Sequence, residues 1–288
     1  MGALRPGATV DDVTRLLDLL GYGPSDRLVI ITCHGLGSSN AANQAVHTAL
    51  RHGVATSAGL QIPCPWSRAA AAHHHGEDVG LSLTFLAEHD LYRWGPITNA
   101  PSLLDGDGGF PRTATDLGEH ADVEEVHREG RAQIERAILW GFDLSHLSSH
   151  LQALCPRPEL FDVYLELAVE FRLPIGLPRS DVDLGYPARE LAADENILTP
   201  DHVVAAPLGQ EARPILDDAI RNLSPGVTEL QVRPAVDTPE IRSVAPQWPA
   251  YVSDAHLVID DWTFRAALGR SGAIPIGYRA LRDAQRKL

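Results

Sequence analysis

Three side chains capable of acid–base or anion chemistry stand where short apolar runs of the sequence end. His34 follows the run that begins at Leu28, His150 closes the run SHLSSHL, and Arg233 follows VTELQV. An imidazole can accept or donate a proton near neutral pH, and a guanidinium can hold a carboxylate, a phosphate or a developing oxyanion. The pattern predicts a polar site in which His34 and His150 act as acid and base and Arg233 clamps an anion.

Five further side chains are candidates for contact with a ligand in the same site. Four belong to predicted strands or their ends and one to the insertion that follows: Ser82, Glu88, His146, Ser148 and Trp94. Strand alternation places the histidine and the serine of the SHLSSHL run on the same face as His150. The tryptophan offers an aromatic surface of the kind that lines sugar pockets, although packing within a loop explains it equally well.

The sequence is poor in metal ligands. A hydrolytic zinc site needs three protein ligands, and only His34 and His150 are well placed for one. Cys33 adjoins His34 in a strand and therefore points to the opposite face. The triplet 73–75 (HHH) looks like a metal tract, but it ends a predicted helix, where imidazoles favour the negative end of the dipole. We expect no metal and no cofactor.

The amino-acid composition argues against several classes of function. The 288 residues carry a net charge of −14, which argues against a nucleic-acid surface with its clustered Lys and Arg. The three cysteines have no CxxC spacing, which argues against a disulfide framework and favours a reducing compartment. No apolar run resembles a signal peptide or approaches membrane-spanning length. We expect a cytoplasmic protein with a small-molecule ligand, no nucleic-acid or membrane partner, and a homodimer as a compatible assembly.

Strands and helices alternate along the chain, and these elements must position the candidate residues. The predicted strands are 28–31, 55–62, 78–85, 145–151, 173–177, 203–206, 227–232 and 273–276. With no linker or repeat between them, they predict one α/β domain over residues 1–288, a single TIM-like (β/α) barrel whose strand ends meet on one face. A long insertion after the third strand, 91–123, is expected to form a lid or wall over the site.

Several of these stretches resemble the motifs of the YdjC-like carbohydrate deacetylase family. TCHGLGSSNAAN resembles the family's NADDFG opening with its following Asn, DVGLSLT resembles DVGxHLT, and SHLSSHL resembles SHxDSH. GVTELQVRP resembles the C-terminal strand with its HP pair, and AEHDLYRWGPIT and IGYRALRDAQR resemble an actinobacterial branch. The resemblance runs from Leu28 to Arg286. It implies a β/α barrel in which a divalent metal activates water to remove an N-acetyl group from an amino sugar.

The residues at the implied metal positions depart from the family pattern. Gly35 stands where the resemblance implies a metal-binding Asp, and Ser82 where it implies the first metal-binding His. His150 matches the second metal-binding His. Glycine has no ligand atom and a neutral hydroxyl binds a divalent ion poorly, so the site is degenerate for a metal.

The implied acid and base positions also differ. His34 falls on the Asp that the resemblance implies as the base, and Ser148 falls on the Asp of SHxDSH. Arg233 falls on the histidine implied as the general acid, a role that a guanidinium cannot fill near neutral pH. We expect Arg233 to bind an anionic ligand group or, without one, to pair with an acid such as Glu88.

Three functions remain open on this sequence. The first is an enzyme diverged from carbohydrate deacetylases that acts without a metal on a small polar, carbohydrate-like or anionic metabolite, since the replacements keep the site polar. The second is a pseudo-deacetylase that binds a ligand or partner without turnover, which Gly35 favours because it only removes a group. The third is a metal-dependent carbohydrate N-deacetylase with an altered site.

Overall fold

The computed structural model describes residues 10–178 and 184–288, and within them seven strands form one parallel sheet. The strands are β1 Arg27–Leu36, β2 Ser57–Leu60, β3 Val79–Leu83, β4 Leu147–Ser149, β5 His202–Ala205, β6 Gly226–Val232 and β7 Ile274–Pro275. The order across the sheet is β4, β3, β2, β1, β6 and β5, with β7 paired to the start of β1. The sheet curls into a half-barrel surrounded by helices, which confirms the predicted parallel α/β fold.

The predicted strand 173–177 is reduced to a single parallel bridge between Leu147 and Ile175. Pro174 and Pro178 flank this bridge, and proline lacks the N–H group that a longer ladder would need. The segment still lies beside β4, because Gly176 N donates to Leu147 O at 2.9 Å. In the described residues β4 and β5 do not pair, so the predicted barrel is open between these two strands.

Helices pack on the outer face of the sheet. In the described residues they are α1 Val10–Leu19, α2 Asn40–His52, α3 Ser67–Ala72, α4 Ala114–His120, α5 Val123–Leu139, α6 Pro158–Phe171, α7 Ala188–Asp194, α8 Arg213–Arg221, α9 Pro239–Val244, α10 Trp248–Ile259, α11 Trp262–Arg270 and α12 Tyr278–Gln285. None of these helices has both the length and the apolarity that crossing a bilayer requires.

The central strand β1 is buried on both faces. Leu28 and Ile30 face the inside of the half-barrel and pack with Tyr278, whereas Val29 and Cys33 belong to the larger apolar core beneath the helices. This two-sided burial explains the continuous apolar run in the sequence. Cys33 is wholly buried, as strand alternation predicts, and burial raises the pKa of its thiol.

The long insertion between β3 and α5 is fixed to the body of the protein by a buried carboxylate. Glu129 of α5 accepts hydrogen bonds from Ile97 N at 3.1 Å and from Thr98 N at 2.9 Å. Near the start of the insertion, the Tyr92 hydroxyl donates to the carbonyl of Ser38, just after β1, at 2.9 Å. These bonds hold the insertion against the carboxyl end of β1, so it forms a wall beside the strand ends, as predicted.

Candidate functional site

A cavity of about 380 Å³ opens at the carboxyl ends of the strands. Its polar lining comes from five elements of the fold: His34, Gln61, Glu88, Ser148, His150, Gln231 and Arg233. Tyr92 of the insertion and Tyr251 of α10 add aromatic surface. A cavity of this size suits a small molecule with a few oriented polar groups.

His34, Ser82 and Ser148 converge on the same spot above Gly59 of β2. A methyl group placed at Gly59 would lie 3.4 Å from His34 Nδ1, 3.3 Å from Ser82 Cβ and 3.6 Å from Ser148 Oγ. Among the described residues, no partner is found for His34 Nε2 or for either hydroxyl oxygen, although Ser82 is only 1% exposed and Ser148 5%. Buried polar atoms without partners cost free energy, and of these three residues His34 and Ser148 line the cavity, where a ligand can satisfy them.

His34 is held as a neutral imidazole. Burial lowers its pKa well below the usual value, and the nearby positive charge of Arg233 lowers it further. A neutral imidazole with an unpartnered Nε2 can accept a proton or a hydrogen bond at neutral pH. The structure therefore places a proton acceptor at the end of β1, next to the cationic Arg233.

His150 uses both ring nitrogens within the protein. Gln61 Nε2 lies 2.6 Å from His150 Nδ1, and Glu88 Oε2 lies 3.1 Å from His150 Nε2. The Cys64 thiol donates to Gln61 Oε1, so the amide donates through Nε2 to Nδ1 and the imidazole Nε2–H donates to Glu88. His150 is thus held in place by its hydrogen bond to Glu88, and Glu88 lines the cavity.

The turn after His150 is strained. Leu151 has φ 48° and Gln152 has φ 58°, both in the left-handed region that non-glycine residues rarely adopt. Both residues line the cavity. Such strain persists where the surrounding structure fixes it, and it is common at functional sites.

Glu88 is ionised because of its histidine neighbours. Burial raises the pKa of its carboxyl, but His150 and His89 outweigh that effect and lower the pKa to about 2. The folded pKa lies below the unfolded value of about 4.5, so the pair stabilises the fold above that value and this contribution is lost as the pH falls towards 2. We therefore expect Glu88→Gln to lower the urea midpoint at pH 7, with a difference from wild type that shrinks below about pH 4.5.

Exposed Glu119 provides the matched control for this measurement, and Glu119→Gln should show no such difference at any pH. A difference between wild type and Glu88→Gln that stays constant from pH 7 to pH 3 would contradict a stabilising ionised Glu88.

Arg233 is anchored by its backbone, and its guanidinium lines the cavity. Its N–H donates to Asp254 Oδ2 at 2.9 Å, and Nη1 donates to the carbonyl of Ala206 at 3.3 Å. The expectation that Arg233 pairs with Glu88 is not met, because Glu88 bonds to His150 instead. The longer bond to Ala206 leaves the other edge of the guanidinium, Nε and Nη2, suited to an anion.

Three of the predicted ligand contacts do not line the cavity: Ser82, which is packed beside Gly59, and His146 and Trp94. His146 precedes the short strand β4 and lies deeper in the half-barrel, wholly buried, with its ring stacked on Tyr278 at a centroid distance of 3.8 Å. Trp94 is buried in the insertion, and its Nε1 donates to the carbonyl of Leu86 at 2.8 Å. Both side chains occupy packing positions, and Tyr92 takes the aromatic place beside the cavity.

Sequence reasoning missed several polar side chains of the cavity, among them Gln231 and Gln61. Gln231 lies two residues before Arg233 on β6, and strand alternation alone places it on the same face. Gln61 follows β2 directly, and no local pattern marks its contact with His150, which lies 89 residues further along the chain.

The residues present do not fit the divalent metal that the family resemblance implies. Within 10–178 and 184–288, no group of three or more His, Cys, Asp or Glu side chains is placed to hold a metal ion. Gly35 offers no ligand atom, both ring nitrogens of His150 are bonded, and Arg233 brings a positive charge to the cavity. We therefore derive no step through a metal.

Comparisons with known proteins agree with this geometry at the level of fold and family. A model of the family described as YdjC-like protein matches residues 28–265. A carbohydrate deacetylase of Thermus thermophilus is 34% identical over 277 residues, which cover 93% of this chain and 98% of that protein. One of Brevibacillus brevis is 32% identical over 52% of this chain and 59% of its own length.

A solved structure shares the fold. A protein of Enterococcus faecalis V583 named as a cellobiose-phosphate cleavage protein superposes with a TM-score of 0.77 at 22% identity. The superposition covers 89% of this chain and 99% of that one.

Proposed function

The chain belongs to the YdjC-like family, and from this premise we propose that its cavity binds a small carbohydrate-like ligand with an anionic group and performs acid–base chemistry on it without a divalent metal. The single observation that supports this proposal most is that the neutral imidazole of His34, with its unpartnered Nε2, and the guanidinium of Arg233 line the same cavity. The names of the relatives, carbohydrate deacetylases, support the carbohydrate-like character of the ligand.

In this proposal Arg233 holds the anionic group and His34 accepts a proton from the ligand or from a water beside it. The charge of Arg233 is one of the influences that lower the pKa of His34. An anion bound to the guanidinium neutralises that charge and makes the imidazole more basic. Binding of the anionic group therefore raises the pKa of His34 and makes it a stronger base.

His150 and Glu88 add a fixed carboxylate to the same cavity. The Nε2–H of His150 donates to Glu88, and the ionised Glu88 can accept from a ligand hydroxyl. Neutral His150 and ionised Glu88 have no acidic proton to give, so in this proposal His34, once it has accepted a proton, returns it to the ligand as the acid. Ser148, which lines the cavity near His34, then orients the ligand.

A second candidate is binding without turnover. Two observations favour it: both ring nitrogens of His150 are already bonded, and Gly35 provides no functional group at the end of β1. This function needs Arg233 and Ser148 but not proton transfer by His34.

The test is turnover by chelator-treated protein. We expect elemental analysis of the purified chain to find well below one Zn, Ni or Mg ion per chain. We expect a panel of N-acetylated and O-acetylated sugars and sugar acids, followed by mass spectrometry, to contain a substrate that EDTA-treated protein converts. Conversion should be lost in His34→Gln and retained in the control His52→Gln, whose side chain is exposed.

Two outcomes would overturn the proposal. About one metal ion per chain that is lost in His150→Ala would restore the metal-dependent deacetylase. Binding of panel members that depends on Arg233, without conversion of any of them, would establish the binding-only candidate.

A further inference from the structure

We infer that Gln231 accepts a hydrogen bond from a ligand hydroxyl and that buried Glu229 is the positioning residue that orients the Gln231 amide. The cavity thereby selects polyhydroxylated anions over anions without hydroxyl groups, which are called plain anions below. The inference rests on the proposed function, because it takes an anionic group at Arg233 as given. It adds to that site the two residues that distinguish a hydroxylated anion from a plain anion.

The inward face of β6 provides the arrangement. Glu229, Gln231 and Arg233 alternate on one face, with the first beneath the cavity and the other two lining it. Alternate residues of a strand lie roughly 7 Å apart. This spacing allows one small ligand to contact Gln231 and Arg233 together.

Glu229 is only 1% exposed, and both of its carboxyl oxygens have donors. Thr32 Oγ1 donates to Oε1 at 2.7 Å, and Gln231 Nε2 donates to Oε2 at 3.0 Å. A buried acceptor that loses a donor is costly, so Glu229 favours the amide orientation in which Nε2 faces it. The opposite orientation would place the amide oxygen against a carboxyl oxygen.

The orientation of the amide decides what Gln231 offers the ligand. With Nε2 committed to Glu229, Oε1 is the remaining polar atom, and within the described residues it makes no hydrogen bond that would occupy it. A carbonyl oxygen accepts from hydroxyl groups and repels anionic oxygens. Next to it, Arg233 offers only donors. Gln231 and Arg233 together therefore suit a ligand that carries both a hydroxyl group and a carboxylate or phosphate.

The test compares anions with and without hydroxyl groups by calorimetric titration. The carboxylate probes are D-glucuronate and cyclohexanecarboxylate, and the phosphate probes are D-glucose 6-phosphate and cyclohexyl phosphate. We expect wild type to prefer the hydroxylated member by about tenfold, as one hydrogen bond to a buried acceptor allows. The pair that shows the preference identifies whether the anionic group is a carboxylate or a phosphate.

Variants of Gln231 and Glu229 then distinguish a role in orienting the Gln231 amide from a role in packing alone. Gln231→Met should remove the preference, measured as the ratio of the affinities for the hydroxylated anion and for the plain anion. Gln231→Lys keeps a donor to Glu229 but has no acceptor, so it should also lose the preference while it still folds and binds anions. Glu229→Gln frees the amide of Gln231 to rotate and should reduce the preference as well. The control Gln210→Met, at an exposed position, should keep it.

The outcomes distinguish this inference from the proposal on which it rests. If wild type binds no probe, the proposed anion site fails and the inference fails with it. If wild type binds the probes and its preference survives in both Gln231→Met and Gln231→Lys, the proposed function stands and the inference is overturned.

Discussion

Replacement of Arg233 by methionine should weaken binding of D-glucuronate, or of whichever hydroxylated anion binds best, by about thirtyfold. A charge-assisted hydrogen-bond pair of this kind contributes about 2 kcal/mol, which corresponds to that ratio. The melting temperature should stay close to that of wild type. The backbone bond to Asp254 does not depend on the side chain, and methionine keeps most of the apolar stem.

A second readout of the same variant is the ionisation of His34. The Arg233 charge contributes to the lowering of the pKa of His34, so removal of that charge should raise this pKa. NMR titration of the imidazole resonances measures it directly. Burial is the larger cause and remains, so the pKa should rise without reaching its ordinary value.

The matched control is Arg221→Met, since Arg221 lies exposed on α8 and pairs only with Asp218 at 3.4 Å among the described contacts. It should change neither anion affinity nor the His34 titration. Equal affinity of wild type and Arg233→Met for every anion tested would show that the guanidinium is not the clamp.

Substitution of Gly80 by alanine should destabilise the protein by about 3 kcal/mol or more, a large part of the stability of a typical domain. A Cβ at Gly80 would lie 2.2 Å from His146 Nδ1 and 2.5 Å from the His146 carbonyl oxygen. The imidazole is stacked on Tyr278, and the carbonyl accepts from Leu81 N at 2.9 Å. Neither can move without disrupting the pairing of β3 with β4.

Urea unfolding and the yield of soluble protein measure this effect. Gly106→Ala is the control, because a Cβ there meets no atom within 4 Å. It should unfold like wild type. If Gly80→Ala were as stable as Gly106→Ala, His146 could not fill the space above Gly80, and its assignment to packing rather than to the ligand site would be wrong.

The second of these predictions depends on a difference between two histidines that the sequence alone does not show. His146 and His150 share one face of a predicted strand, yet the first is packed in the interior and the second meets the cavity. The strand contains only three residues, Leu147–Ser149, so the chain changes direction on either side of it. Alternation within a strand holds only where the strand continues, and the tertiary pairing of β4 decides where it ends.

The sequence by itself determined the parallel α/β architecture, the family, and the placement of His34 and Arg233 at strand ends. These follow from local information: the period of apolar residues, the turn residues after each run, and motifs of a few residues. The burial of Cys33 opposite His34 follows from the same two-residue period.

Only the tertiary structure decided which polar groups have partners. Gln61 reaches His150, Glu88 reaches the same imidazole, and Thr32 reaches Glu229 across 197 positions of sequence. These bonds engage both ring nitrogens of His150 and one oxygen of Glu229, whose other oxygen accepts from Gln231. Burial and the charge of Arg233 lower the pKa of His34. The physical reason is that a hydrogen bond or a pKa depends on neighbours in space, and the sheet brings together residues that no sequence window contains.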